Sequence, residues 1–329
     1  MAVTSKDIAR ELKLSQPTVS RILSGDPNHR ASYATRERVI RAAEQLGYRP
    51  NAIARSLRRG RTDVIGLYNG KAGIGVDDVH ATVVGALRRQ CAKRRLDLLL
   101  YSAVDGLSGS EMLAKVNDGR VDGLIVYGAT NDPLVDIAAR SAIPVAAVVD
   151  PVPHLFSVTF DDASAMDALI SHYWWRGYRR FMFVGPECPS PSSSRLQAAF
   201  LCEMDRRPVR QSDRLVRRAS TYLAPVANEL SLAEERTAVC CWNDIIAYSL
   251  RLACLSRSVD VPEHVTISGF GGYLPGTLSA GVLSVRCDWD DVACTALDWL
   301  LDRVNDKRAP ADVRREVRMP LTLTEEIAA

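Results

Sequence analysis

The stretch Thr4-Ser5-Lys6-Asp7-Ile8-Ala9-Arg10-Glu11-Leu12-Lys13-Leu14-Ser15-Gln16-Pro17-Thr18-Val19-Ser20-Arg21-Ile22-Leu23 decides how this chain is read. It predicts two short helices joined by a turn. Thr4 is a good N-cap, and Asp7, three residues on, completes a capping box. Ile8, Ala9 and Leu12 then form an apolar stripe at helical spacing. Ser15 caps the second helix and Pro17 sits in its first turn, where a missing N–H costs little. Val19, Ile22 and Leu23 supply its inward face, and Gly25-Asp26-Pro27-Asn28 stops it. A third helix is expected from Thr35, with Val39, Ile40, Ala43 and Leu46 inward and Gly47 as its stop. Asn51 is placed to cap a fourth, Ala52–Arg58, and Gly60-Arg61-Thr62 reads as a link.

Charge separates this opening from the rest. The 329 residues carry a net charge of +3, but residues 1–61 hold thirteen Lys/Arg against five Asp/Glu, a local +8 that leaves −5 for the remainder. A basic head on an acidic body points to polyanion binding at one end only. The second helix offers the right chemistry for it. Base edges in a major groove are read by forked donors and amides: Gln16 suits adenine, and Arg21, a turn on, suits guanine. Pro17 has no side-chain donor and is limited to a thymine methyl or to shaping the approach. Thr18 and Ser20 suit phosphates, helped by the helix dipole.

From Val64 onward the pattern changes to apolar strands alternating with helices. Strands are expected at Val64–Tyr68, Leu96–Tyr101, Leu124–Val126, Val145–Val149, Phe181–Val184, Ala238–Cys241, Val265–Gly269 and near Val317–Leu321. Helices are expected at Val79–Arg94, Glu111–Asp118, Pro133–Arg140, Ala163–Arg176, Asp244–Leu255 and Asp290–Val304. Pro186–Ser194 reads as a Pro/Ser-rich loop. Such alternation implies parallel sheets with helices on both faces, and its length suits two similar subdomains. Folds of this kind bind ligands in the crevice at the carboxyl ends of their strands.

The head residues quoted above, with Ser24-Gly25, Thr35-Arg36-Glu37-Arg38-Val39, Ala42-Ala43-Glu44-Gln45-Leu46-Gly47-Tyr48-Arg49-Pro50-Asn51 and Ala54-Arg55-Ser56-Leu57, resemble the LacI/GalR (lactose-repressor-type) family of transcriptional regulators. The likeness is specific over the head and looser to the C-terminus. It implies an all-α helix-turn-helix headpiece followed by an α/β, periplasmic-binding-protein-like sensor body of two parallel-sheet subdomains. On it, Gln16, Pro17 and Arg21 fall on base-reading positions; Thr4 and Ser15, at the two helix starts, join Thr18 and Ser20 as expected phosphate contacts. Asn51, Ala54 and Leu57 belong to a minor-groove hinge, with Leu57 as an apolar wedge of the kind that unstacks and kinks DNA. A helix as brief as Asn51–Arg58 does not hold itself together in water, so two hinges would support each other on DNA.

In the body, Arg195 matches the family's effector-contacting arginine, whose fork suits vicinal hydroxyls or a carboxylate. Asn243 matches a ligand-contacting asparagine, and Asp150 and Phe160 join it, a core role for Phe160 being equally open. Asp244 serves equally well as a helix N-cap, and capping is the default reading of Asp161 and Asp162. One departure stands out. The family carries an Asp after the Gly-Phe that ends a later strand, but this chain reads Gly269-Phe270-Gly271-Gly272. Losing that acceptor removes a strong hydrogen bond to hydroxyls.

The resulting division is a head at 1–49, a hinge helix and linker at 50–61, and an effector-binding and dimerisation domain at 62–329. The domain's N-subdomain is expected near 62–160 and 288–315, its C-subdomain near 161–287 and 316–329. The expected partners are a double-stranded DNA operator, a small polar effector and a second copy of the chain. The competing class is a solute-binding module that never touches DNA. Residues 1–7 lack a basic stretch followed by an apolar core, so no leader is expected, and no apolar run nears the ~20 residues of a bilayer span; a cytoplasmic location follows. The eight cysteines show no metal-ligand spacing and read as buried reduced thiols. His29, His80, His154, His172 and His264 show no zinc pairing and no nucleophile partner, no Gly-rich loop ends in Lys-Ser/Thr, and no cofactor, metal or catalytic residue is expected. His172-Tyr173-Trp174-Trp175 reads as packing.

Overall fold

The computed structural model describes residues 3–25, 29–49, 52–69, 78–102, 109–127, 141–220, 222–272, 281–306 and 316–324. The chain divides into two compact units, Met1–Asp63 and Val64–Ala329.

The first unit holds four helices, α1 (Ser5–Leu12), α2 (Gln16–Leu23), α3 (Tyr33–Gln45) and α4 (Ala52–Arg59). Its core is small: Ile8, Ala9, Val19, Ile22, Val39, Ala42 and Ala43 are buried together. Two expectations for α3 need correction. It begins at Tyr33, because Ser32 accepts a hydrogen bond from the Thr35 amide and so caps the helix earlier. Ile40 lies outward, one position along from the buried Val39. The cap expected at Asn51 lies outside the described residues.

The second unit contains two six-stranded sheets. The first comprises β1 (Val64–Asn69), β2 (Asp97–Ser102), β3 (Gly123–Tyr127), β4 (Val145–Val148), β5 (Phe156–Phe160) and β11 (Glu316–Met319). Its order is β11-β5-β4-β3-β1-β2, parallel throughout. The second comprises β6 (Arg180–Pro186), β7 (Arg214–Ala219), β8 (Thr237–Cys241), β9 (Val265–Gly271), β10 (Leu283–Cys287) and β12 (Leu321–Thr324). Its order is β12-β10-β9-β8-β6-β7, parallel except for the antiparallel edge pair β10–β12. The central strands β3, β4 and β8 are buried at every position, as expected where helices cover both faces of a parallel sheet.

The described helices are α5 (Asp78–Lys93), α6 (Gly109–Val116), α7 (Asp162–Trp175), α8 (Pro191–Arg206), α9 (Ala224–Ser231), α10 (Asp244–Leu255) and α11 (Trp289–Asn305). The helix expected at Pro133–Arg140 lies outside the described residues. The chain passes from the first sheet to the second after β5, returns between β10 and α11, and crosses again at Pro320. That last crossing corrects the expected subdomain boundary. Residues 316–319 belong to the first sheet, where β11 pairs with β5 from Glu316↔Ser157 to Met319↔Phe160. Glu316 accepts a 2.7 Å hydrogen bond from the Thr159 hydroxyl. Pro320 supplies no amide to continue the ladder, and the strand expected near Val317–Leu321 is two strands in two sheets.

Strands β5, β7 and β10 and helices α8 and α9 were not expected from the pattern. Helix α8 replaces much of the expected Pro/Ser-rich loop: Ser190 is its N-cap and Pro191 its first residue. Of the aromatic run read as packing, Tyr173 is buried and Trp174 stacks on Phe181 under the Arg179 guanidinium. Trp175 is 84% exposed, because it falls on the outer face of α7. All eight cysteines are free thiols, five of them buried; burial pushes the Cys240 thiol up to about 12. Cys188 and Cys202 are exposed, contrary to expectation, on the loop before α8 and on that helix's outer face.

Candidate nucleic-acid interface and ligand cleft

Helix α1 opens with Thr4 donating to Asp7 twice, from its hydroxyl at 2.7 Å and its amide at 3.0 Å. These bonds hold the Asp7 carboxyl below its ordinary range, the side-chain bond from Thr4 contributing most. Ser15 caps α2 by accepting from the Thr18 amide at 3.3 Å, and the two hydroxyls lie 2.7 Å apart. Thr4, Ser15 and Thr18, expected at phosphates, therefore fix the two helix starts first.

The α2 helix turns Val19 and Ile22 inward and leaves Gln16, Pro17 and Arg21 exposed. Gln16 donates to the Ser5 hydroxyl at 3.2 Å, which ties its amide to α1. Among the described residues the Arg21 guanidinium makes no hydrogen bond or ion pair. Ser20 is half-buried. In α4, Ala54 lies within the helix and the Leu57 side chain is 80% exposed. Gly60 follows with φ +65°, a left-handed stop, and Arg59 and Arg61 pair with Asp63 at 3.2 and 3.0 Å.

In the second unit, the carboxyl ends of both sheets meet around a cleft of about 640 Å³ that opens to solvent. Tyr127 ends β3, Asp150 follows β4 and Phe160 ends β5; Trp242 and Asn243 follow β8 and Gly271 ends β9. Trp289, on the return crossing, adds its ring edge-on to Phe160 with centroids 5.4 Å apart. The expected residues Asp150, Phe160 and Asn243 thus share one cavity. Arg195 stands behind it on α8. Its Nε donates to Asp162 at 2.9 Å, its Nη1 to Asp150 at 3.2 Å and its Nη2 to the Val149 carbonyl at 3.1 Å.

Neighbouring acids with one expected role divide into two. Asp161 caps α7 by accepting from the Ser164 amide, and that contact with Ser164 lowers its carboxyl. Asp162, 8% exposed, lines the cleft instead. Burial raises its carboxyl above the ordinary value, opposed by the Arg195 cation. At α10 the cap is Asn243, which accepts from the Ile246 amide at 2.8 Å. Asp244, read equally as that cap, accepts instead from the Ser284 hydroxyl at 2.9 Å and the Gly272 amide at 2.7 Å. Sequence reasoning missed Asp162, Trp242 and Trp289 as cleft residues. Asp162 carried no usable signal, because the strand that precedes it, β5 (Phe156–Phe160), was itself not legible in the pattern.

Residues 4–51 match the profile of the bacterial regulatory proteins of the lacI family, and residues 170–325 that of the periplasmic binding protein-like domain. Over 95% of its length the chain is 27% identical to catabolite control protein A of Priestia megaterium, 96% of which is covered. The chain thus carries a lacI-family helix-turn-helix domain followed by a periplasmic-binding-protein-like domain. Another relative is the HTH-type transcriptional repressor PurR of Escherichia coli O139:H28, 26% identical with 93% of this chain and 91% of that protein covered. Among solved structures, the Lac repressor dimer bound to operator and the anti-inducer ONPF shares the fold. It has a TM-score of 0.81 at 18% identity, with 99% of this chain and 98% of that one covered.

The two glycines have a backbone reason: φ is +126° at Gly271 and +68° at Gly272. A Cβ on Gly272 would sit 2.5 Å from Arg286 Cγ, and its φ is +68°, so the Arg286 stem occupies the space of a side chain there. The Gly271 carbonyl accepts a 2.8 Å hydrogen bond from the Trp289 indole. Backbone and indole form the wall where the sequence comparison placed a carboxylate.

Proposed function

We propose that the protein is a sequence-specific DNA-binding transcriptional regulator that acts by binding rather than turnover. In this reading α2 enters the major groove, with Gln16, Pro17 and Arg21 reading base edges. Thr4, Ser15, Thr18 and Ser20 contact phosphates from the helix starts. The hinge residues Asn51, Ala54 and Leu57 work in the minor groove as a pair from two protomers, Leu57 wedging a base step. Two heads on one homodimer read the half-sites of a pseudo-palindromic operator.

The body takes a small polar effector between its two sheets, with Asp150, Phe160, Arg195 and Asn243 around it. Effector control requires that the ligand bind two states of the body unequally. Repression in the cytoplasm is the sign and place we assign, in line with the repressor among the relatives. Among the described residues no helix is long and apolar enough to cross a membrane.

One observation carries this reading: Gln16 and Arg21 stand exposed on α2, the Arg21 guanidinium without a hydrogen bond or ion pair among the described residues, above a core that fixes the helix. The test is selection of bound fragments from a random DNA pool by the full-length protein. Enrichment of an inverted repeat is expected. A pool that stays random would favour a solute-binding module and overturn the proposal.

A further inference from the structure

The body is tied across its cleft by a contact that chain connectivity does not impose. The chain crosses between the subdomains after Phe160, after Cys287 and at Pro320. Bonds beside those crossings, such as that from the Asp161 amide to the Met319 carbonyl at 3.0 Å, follow from the connection itself. Arg195 is different. It lies on α8, well inside the second subdomain, where its Nε is anchored on Asp162 at 2.9 Å. Its other two nitrogens reach the first subdomain just after β4, Nη1 to Asp150 at 3.2 Å and Nη2 to the Val149 carbonyl at 3.1 Å. A guanidinium presents a rigid fork that suits two acceptors on one turn. The Asp150 side chain is 4% exposed, so the charge-assisted bond is screened little by water.

The turn that receives the fork is strained. Val149 has φ +75°, a left-handed conformation that a β-branched residue rarely adopts. The Asp150 amide donates back to the Val148 carbonyl at 3.0 Å and closes a three-residue turn around Val149. With a positive φ at its centre, such a turn is the rare and strained form. The side chain is locked into the core of the first subdomain, and the Val149 amide is held by the Val158 carbonyl at 2.9 Å. Strain of this kind persists only where the surroundings impose it. The Arg195 bond to the Val149 carbonyl is the part of those surroundings that comes from the far side of the cleft.

We infer that Arg195 latches the two subdomains together in the absence of any effector, with the Val149 turn as its strained catch. A ligand then acts by loosening a body that is already closed, not by closing an open one. Arg195 is on this account a positioning residue. The inference rests on the reading of the cleft as an effector site. Asp150 and Asp162, the carboxylates that hold the guanidinium, both line the cleft, so a ligand that engages either one competes with the latch directly.

The test uses the full-length protein freed of small molecules, with spin labels at Asp302→Cys on α11 and Ala198→Cys on α8, one exposed position in each subdomain. The accessible thiols are removed by Cys188→Ser, Cys202→Ser and Cys294→Ser. Labelled chains are diluted into unlabelled ones, so that only the distance within one chain is read. With Arg195 in place, one narrow distance is expected. Arg195→Met should add a second, longer population, and Arg195→Lys, a point charge without the fork, should fall between the two. Adding Asp150→Asn to Arg195→Met should open the body no further. An arginine that served stability alone would shift the melting point and leave this distance as it was. Two populations with Arg195 intact, or a distance that Arg195→Met leaves unchanged, overturns the inference, and the Arg195-intact sample decides alone if the variants fail to fold. DNA selection by the same protein keeps the two readings apart. An enriched inverted repeat from a body that is open without ligand sinks only the latch; a random pool from a body with one narrow distance sinks only the regulator.

Discussion

The head and the body place their working groups by opposite means. In the head, seven small buried side chains hold three helices, and the groups assigned to DNA are whatever that core leaves outside. In the body, the cleft draws on residues from Val79 to Trp289, brought together by the ends of two sheets. The head's site is local in sequence and sits on a thin core; the body's site is assembled at long range on a thick one. The first should therefore fail through its core, and the second through its charges.

The largest effect is expected from Ile8→Ala. Ile8 is fully buried, and truncating such a residue costs about 2–5 kcal/mol. That is a large share of what a domain this small can have. Head unfolding and loss of DNA binding should appear in calorimetry and mobility shifts, with the body's melting unchanged. A body transition that moves in step would break the contrast. Next comes Arg195→Met, which removes the cation that Asp150 and Asp162 share. Breaking a buried pair costs about 3–5 kcal/mol, and the Arg195 guanidinium, 26% exposed, brings the expectation down to about 2–3 kcal/mol. Denaturant melts of the body should register it, and an unchanged midpoint would remove Arg195 from its positioning role.

The uneven reach of sequence reasoning follows the same division. The α1 and α2 boundaries were legible because Thr4, Asp7 and Ser15 are local signals with local partners. Helix α8 was not, because Ser190 and Pro191, an N-cap and a first-turn proline, look the same in sequence as a Pro/Ser loop. Strand β7 was hidden by Arg214, Arg217 and Arg218, charges that an edge strand tolerates and a central one does not. Arg195, Asn243, Asp150 and Phe160 were nameable only through the family resemblance. No local pattern announces that Asp161 caps a helix while Asp162 meets an arginine 33 residues away.

Two smaller effects sharpen the comparison. Leu57→Gly touches an exposed side chain, so head stability should change little. It should still reduce specific affinity by about tenfold, as a lost wedge no longer offsets a kink of a few kcal/mol, and gel phasing should show a smaller bend. Equal bending would remove the wedge. Last is pH. Asp7 is held low by its Thr4 bonds, so its contribution to the head is present above the ordinary carboxylate value and lost as pH falls through its own lowered one. Asp162 is raised by burial, so its contribution to the body is present below the ordinary value and lost as pH rises through its raised one. Carboxyl-carbon NMR titrations should place the two on opposite sides of an ordinary aspartate; titration on the same side would contradict the assignment.

The most direct measurement is the ratio of selected-operator affinity to random-DNA affinity, at one salt concentration, for the full-length protein and for Arg21→Ala. Loss of one bidentate base contact should lower that ratio by about 5- to 150-fold, equivalent to ~1–3 kcal/mol, with the head still folded. An unchanged ratio would mean that α2 does not read bases.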